Sequence, residues 1–185
     1  SFEQEYLALY ELEVEDLDAL QAVSDEHMRR IEADEMHRSP PETIDRDNVR
    51  SMYFAETGPR LGGHDDVPET LFMPFTEPVS EEDDEEFNRW YQEVHLPEVL
   101  DVPGFSAASR YKETGINMTG RAWPINFPYL ALYELGDGTK EAFDNAMKEL
   151  RRRISEGDRM EISDALGSDK ITQVYSRITD RIVAT

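Results

Sequence analysis

The sequence predicts an α+β protein built from split β-α-β repeats whose antiparallel sheets pack face to face. Three observations carry that expectation. The block Tyr6-Leu7-Ala8-Leu9-Tyr10-Glu11-Leu12 recurs unchanged as Tyr129-Leu130-Ala131-Leu132-Tyr133-Glu134-Leu135, and at the same spacing Arg29-Arg30-Ile31 recurs as Arg152-Arg153-Ile154. Identities held in one register over that distance mark a duplication. Each copy then reads strand, amphipathic helix, strand. Only the second copy is preceded by a further strand, helix and strand.

The repeated block alternates and is rich in aromatics, which reads as a strand. In the second copy Phe143, Met147, Leu150 and Ile154 fall on one helical face; in the first, Leu17, Leu20, Met28 and Ile31 do so less regularly. The closing strands are expected at 49–56 and 171–178, each with a central tyrosine, Tyr53 and Tyr175. Ser39-Pro40-Pro41 and Gly167-Ser168-Asp169 break the chain before them. Ahead of the second copy, 71–76 reads as a strand. Ser80 is the expected N-cap of the next helix, and the acids Glu81 to Glu86 fill its first turns, where the helix dipole favours them. Phe87, Trp90, Tyr91 and Val94 form its buried stripe. Pro97 and Pro103-Gly104 are expected to kink and end it. The next strand is expected at 105–113, followed by a loop over 114–128.

Residues 71–185 thus form one complete β-α-β-β-α-β unit. Residues 1–58 match only the second half of such a unit, and 59–70 read as a linker. Right-handed crossovers place both helices on one face of a four-stranded sheet. The other face then needs cover, from a duplicate or a partner chain. A homodimer, or pairing with a missing N-terminal segment, is therefore expected, with the native chain extending before Ser1.

Composition narrows the function. Apolar residues make up 38% of the 185 positions, enough for a core. There are no cysteines, so disulfides, thiolate chemistry and Cys-ligated metals are excluded. No apolar run is long enough to span a membrane, and no secretory leader opens the chain. A cytoplasmic protein is expected. The net charge is −22, from 41 acids and 19 bases. Nucleic acid and anionic membranes are expected to be repelled. Most of the acids read as a solvated surface.

The segment Phe87-Asn88-Arg89-Trp90-Tyr91-Gln92-Glu93-Val94-His95-Leu96-Pro97-Glu98-Val99, the turn Val102-Pro103-Gly104-Phe105 and the pair Arg110-Tyr111 resemble the EthD-like branch of the dimeric α+β barrel (ferredoxin-like) superfamily. The likeness covers about 71–182 and half a unit in 1–58. It implies a ferredoxin-like barrel and small-molecule chemistry. The reaction stays open, because that superfamily holds monooxygenases, isomerases, polyketide cyclases and haem enzymes.

His95, four residues after Tyr91, is the candidate general base, with Tyr91 as its partner. The resemblance implies proton transfer without a cofactor for this pair. The structural alternative is that His95 caps the helix C-terminus. Trp90 and Phe105 are candidates to line an apolar pocket for a small hydrophobic or aromatic ligand. Arg110 and Tyr111 point to opposite sheet faces. Arg110 either orients a carboxylate or enolate or pairs with Glu134. Trp123 and Asn126 are candidate lid residues. The repeated tyrosines Tyr10, Tyr53, Tyr133 and Tyr175 read as sheet-to-sheet packing. His27, His37 and His64 are isolated and lack metal-ligand spacing, so no metal is expected. Three functions follow in order: a cofactor-free isomerase, cyclase or lyase; a non-catalytic binding or accessory protein; and, by family analogy through His95, a haem-dependent oxygenase relative.

Overall fold

The computed structural model describes residues 5–36, 49, 51–63, 67–116, 127–158, 160–180 and 182. The predicted lid residues Trp123 and Asn126, together with His37 and His64, lie outside them. The chain divides into two compact units. One holds Glu56–Lys112 and Asn126–Thr185, the other Phe2–Ala55 and Glu113–Ile125.

The larger unit contains the split β-α-β pattern. Its strands are β2 (Leu61–Gly62), β3 (Thr70–Thr76), β4 (Phe105–Glu113), β5 (Tyr129–Leu135) and β6 (Ile171–Ser176), numbered after the short β1 (Phe54–Glu56). Four of them run in the order β4-β5-β3-β6, with each neighbouring pair antiparallel. This is the ferredoxin-like order, with the first and third strands of the unit at its centre. The helices cross over on one face. Phe87, Trp90, Leu96 and Val99 from the first crossover and Ala146 and Leu150 from the second share a core with Phe72, Ala108, Tyr129, Tyr133 and Leu135. Every residue of β5 is buried, as expected of a strand flanked on both sides and covered on both faces. The fold is α+β, an antiparallel sheet with its crossover helices packed on one face.

The segment expected as a linker is partly ordered along β4. Leu61 and Gly62 pair with Ala108 and Ala107, and the Thr57 and Gly63 N–H groups donate to Arg110 O and Ser106 O. Gly62 is required there. Its φ is +68°, and a Cβ would sit 2.4 Å from Ser106 O.

The first crossover departs from the expected helix. Ser80 stands at its start, but the hydroxyl donates to the Asp83 carboxylate at 2.7 Å and caps no backbone N–H. A 3₁₀ turn over Glu81–Asp83 leads into α2 (Asp84–Trp90), a π-helical turn over Tyr91–His95, and α3 (Leu96–Leu100). Pro97 lies inside the helix as its expected kink, and the helix ends at Leu100, ahead of Pro103-Gly104. Proline has no N–H and its ring crowds the carbonyl four residues back. The wider turn absorbs that conflict: the Leu96 N–H reaches five residues back, to Tyr91 O. The second crossover is α4 (Lys140–Glu156), capped by Thr139, whose hydroxyl accepts from the Ala142 N–H at 3.2 Å.

In the smaller unit, α1 (Leu17–Glu32) begins at Asp16, whose carboxylate accepts from the Ala19 N–H at 2.8 Å. Leu20 and Ser24 are buried, whereas Leu17, expected on the buried face, is exposed. The predicted strand over residues 6–12 is not formed: residues 5–14 join no ladder among the described residues, and Tyr10 is 80% exposed. The identical block in β5 pairs with β4 on one side and β3 on the other. Strand formation follows neighbours more than local sequence, and that accounts for the difference. The predicted strand at 49–56 shrinks to β1, which leaves Tyr53 outside it. The strand expected to run to Ile178 ends at Ser176.

Gly104, in the turn before β4, has φ +108°, and a Cβ there would lie 3.2 Å from Ala146 Cβ on α4. Gly104→Ala is expected to cost about 2 kcal/mol, from backbone strain and lost helix packing. Urea unfolding of the two proteins measures it.

Candidate functional site

The site lies on the helix face of the larger unit's sheet. Register places its side chains there: Arg110 faces Ala131, Lys112 and Thr76 face Tyr129, and Phe72 faces Tyr133. Facing residues project from the same side of a sheet, so these groups share one surface. From above, Asp84, Asn88, Tyr91 and His95 descend at spacings of four, three and four, one face of the helix.

Arg110 is the centre. Its residue is 1% exposed. The guanidinium lies 4.1 Å from the Tyr91 ring centroid, 5.0 Å from that of Phe87 and 5.1 Å from that of Tyr129. Three aromatic faces around a desolvated cation are favourable. Arg110 Nη1 donates to Asn88 Oδ1 at 2.9 Å. Asn88 Nδ2 donates to Asp84 O at 2.7 Å and to the Tyr129 hydroxyl at 2.9 Å, and the Tyr129 hydroxyl donates to Asp84 Oδ1 at 2.6 Å. These bonds fix the amide so that its oxygen meets the guanidinium. Lys112 Nζ stands 3.7 Å from Asp84 Oδ1.

Glu134 is not the partner of Arg110, as one reading of the sequence held. It projects from β5 with Leu130 and Leu132, opposite to Tyr129 and Tyr133. There it takes a two-pronged pair from Arg60, whose Nε and Nη2 donate at 3.1 and 2.7 Å.

His95 meets two aromatic rings. It stacks on Trp90 at 4.8 Å and meets Tyr91 edge to face at 4.9 Å. It does not cap a helix end, because the helix continues through α3. Burial, aided by the positive charges of Arg110 and Lys170, pushes its pKa down to about 4. The imidazole is therefore neutral at neutral pH. Burial likewise raises the phenols of Tyr91 and Tyr133, which keeps both protonated. The charge of Arg110 opposes both shifts, and the Thr76 hydroxyl also acts on Tyr91.

Of the predicted site residues, Trp90, Tyr91, His95 and Arg110 are brought together around Tyr91. The Trp90 indole N–H donates to Glu161 O at 2.9 Å, which ties its ring to the loop after α4. Phe105 lies in an adjoining cluster, 6.5 Å from Phe72 and 5.7 Å from Tyr133. Tyr111 alternates to the far side of β4. Sequence reading missed Thr76, Asp84, Asn88, Lys112 and Tyr129. It placed Tyr133 between sheets, whereas Tyr133 packs on the helix face. The helical spacing of Asp84 and Asn88 before Tyr91 was the available signal for two of these. Two surface hollows, one along α1 beside His27 and one beside Thr70, Gly138 and Phe143, include none of the site residues. Among the described residues no group of three His, Asp or Glu side chains converges as a metal site, and no helix is long and apolar enough to cross a membrane.

No protein-family description matches this chain, and no curated protein matches it. Among solved structures it is similar to HapK from Hahella chejuensis, at 13% identity over 63% of this chain and 99% of that one, with a TM-score of 0.42. It is also similar to an anthrone oxidase-like protein, at 16% identity over 69% of this chain and 55% of that one, with a TM-score of 0.37. The chain thus spans about half the length of the second.

The imidazole carries a pH signature. Folded His95 takes its proton near pH 4, and the unfolded side chain takes it near 6.5. Between these values the unfolded state binds more protons, so the contribution is complete above pH 6.5 and is lost as the pH falls toward 4. The ceiling on that loss is about 3 kcal/mol. In urea unfolding at pH 7 and pH 4, His95→Gln is expected to lose less stability than the parent on acidification, by up to that amount.

Proposed function

We propose that the larger unit is a cofactor-free enzyme that moves a proton on a small hydrophobic or aromatic metabolite, as in isomerisation, cyclisation or elimination. The observation that carries this reading is a neutral imidazole, His95, set edge-on against the same Tyr91 ring that bears the buried Arg110 guanidinium. A neutral base beside a fixed positive charge is the minimum equipment for abstracting a proton next to a carbonyl.

In this reading the C–H bond breaks toward a His95 nitrogen, and the electron pair moves onto the carbonyl oxygen. Arg110 orients an oxygen of the ligand, and its charge lowers the cost of the developing anion. The imidazolium then returns the proton to a different carbon or to a leaving group. A conjugate acid as strong as His95 makes the return step easy. The abstraction step depends on how far Arg110 stabilises the anion. Trp90 and Tyr91 serve as walls for the ring of the ligand. Tyr91 stays protonated and can share a hydrogen bond with the same oxygen.

A panel of aromatic ketones incubated with the full chain in deuterated water tests this by proton NMR. At least one ketone is expected to lose its acidic C–H signal faster with protein than in buffer. His95→Gln should slow that exchange by about 100-fold or more, with an unchanged circular dichroism spectrum. A ketone that binds but never exchanges would make the unit a binding protein instead.

A further inference from the structure

We infer that the free edge of the Arg110 guanidinium, completed by the hydroxyls of Tyr133 and Thr76, is a subsite for the carboxylate of a small aromatic acid. The inference rests on the proposed function in placing the ligand against Tyr91. It names the oxygens that Arg110 orients as those of a carboxylate, which in the proposed proton transfer is itself the carbonyl group that takes up the developing charge.

The argument starts from the edge itself. Nε–H and Nη2–H of an arginine lie side by side and point in parallel, matched to the two oxygens of a carboxylate. This protein uses that edge at least three times elsewhere, Arg152 holding Glu149 through Nε and Nη2 at 2.9 and 2.8 Å. Arg60 holds Glu134 through Nε and Nη2 at 3.1 and 2.7 Å, and Arg29 holds Glu26 through the same two nitrogens at 2.7 and 2.9 Å. In Arg110 both nitrogens are buried, and neither has a hydrogen-bond partner among the described residues. The remaining sides of the guanidinium are taken: rings stand around it and Nη1 is on Asn88.

Two more buried polar atoms share this condition and this sheet face. Thr76 Oγ1 and the Tyr133 hydroxyl stand near the Tyr91 phenol, yet neither closes a hydrogen bond of normal geometry among the described residues, and both residues are almost wholly buried. Buried polar groups left unpaired are costly and rare. Here a threonine, a tyrosine and an arginine from β3, β5 and β4 leave four such atoms at once, all able to donate. Donors of this kind are satisfied by an acceptor-rich group. The charge calls for an anion, because among the described residues no carboxylate bonds to Arg110; Asp84 meets it through Asn88 and shares its charge with Lys112. Phe72, Tyr91, Phe105 and Tyr133 give the ring of such a ligand aromatic neighbours.

Titration of the full chain with benzoate, benzamide and inorganic phosphate, followed by calorimetry, tests the subsite. Benzoate is expected to bind at least ten-fold tighter than its neutral isostere benzamide, and phosphate not to displace it at equal concentration. Arg110→Met should abolish the preference, with a circular dichroism spectrum recorded alongside to show that the variant is folded. Tyr133→Phe and Thr76→Val should each weaken benzoate several-fold, and they decide the matter if Arg110→Met fails to fold. Equal binding of benzoate and benzamide, tighter binding of phosphate, or a preference that survives all three substitutions would overturn the inference. The two readings separate cleanly. Benzoate preference without isotope exchange on any ketone sinks only proton transfer. Exchange on a ketone that saturating benzoate leaves untouched sinks only the subsite.

Discussion

A single buried positive charge organises the larger unit. Moving a guanidinium out of water costs several kcal/mol even after relaxation, and the cost must be met locally. Around Arg110 it is met by three aromatic rings and one amide oxygen rather than by a carboxylate. That choice constrains much else. The helix must present Phe87, Asn88 and Tyr91 together toward β4. Tyr129 must lie flat beside the cation and still reach Asp84 with its hydroxyl. Asn88 must keep its oxygen toward Arg110, which the three acceptors on its nitrogen side enforce.

The π-helical turn is the second constraint, and Pro97 explains it. In a regular α-helix residues five apart stand about 140° apart around the axis and do not touch. Trp90 and His95 are five apart, yet their rings stack at 4.8 Å with 25° between planes. The wider turn over Tyr91–His95 removes most of that angular gap. The proline that perturbs the hydrogen-bond ladder thereby sets the imidazole between two aromatic rings, at the end of the Asp84–Asn88–Tyr91 face. Widened turns of this kind recur at functional sites for this reason: they re-aim side chains without ending the helix. The low pKa of His95 follows from the same packing, since rings on two sides exclude water from the charged form.

The two copies of the repeated block show how far a strand depends on its surroundings. The copy in β5 has a paired strand on each side and is wholly buried. The copy at 6–12 has identical side chains, joins no ladder among the described residues, and exposes Tyr6 and Tyr10. Alternating aromatic and aliphatic residues make a segment able to be a strand. Hydrogen-bond partners along both edges make it one.

The sequence by itself determined the order of elements in the larger unit, because that information is local. Two-residue alternation places β4 and β5 at the expected residues, and the helical spacing of Phe143, Met147, Leu150 and Ile154 falls within α4. It also marked Trp90, Tyr91 and His95 as neighbours, since they lie within two turns of one helix, and it picked out Arg110. What it could not determine was the company Arg110 keeps. Asn88 is 22 residues from it in sequence and is brought to it by the packing of α2 on the sheet, and Tyr129, 19 residues away on another strand, is brought there by cross-strand register. Tertiary structure also decided that Glu134 belongs to Arg60, 74 residues earlier, and that one repeated block is a strand while the other is not. Periodicity describes which face of an element is apolar. Which charged or polar group meets which across that face is set by register and packing between distant segments, and no local pattern encodes it.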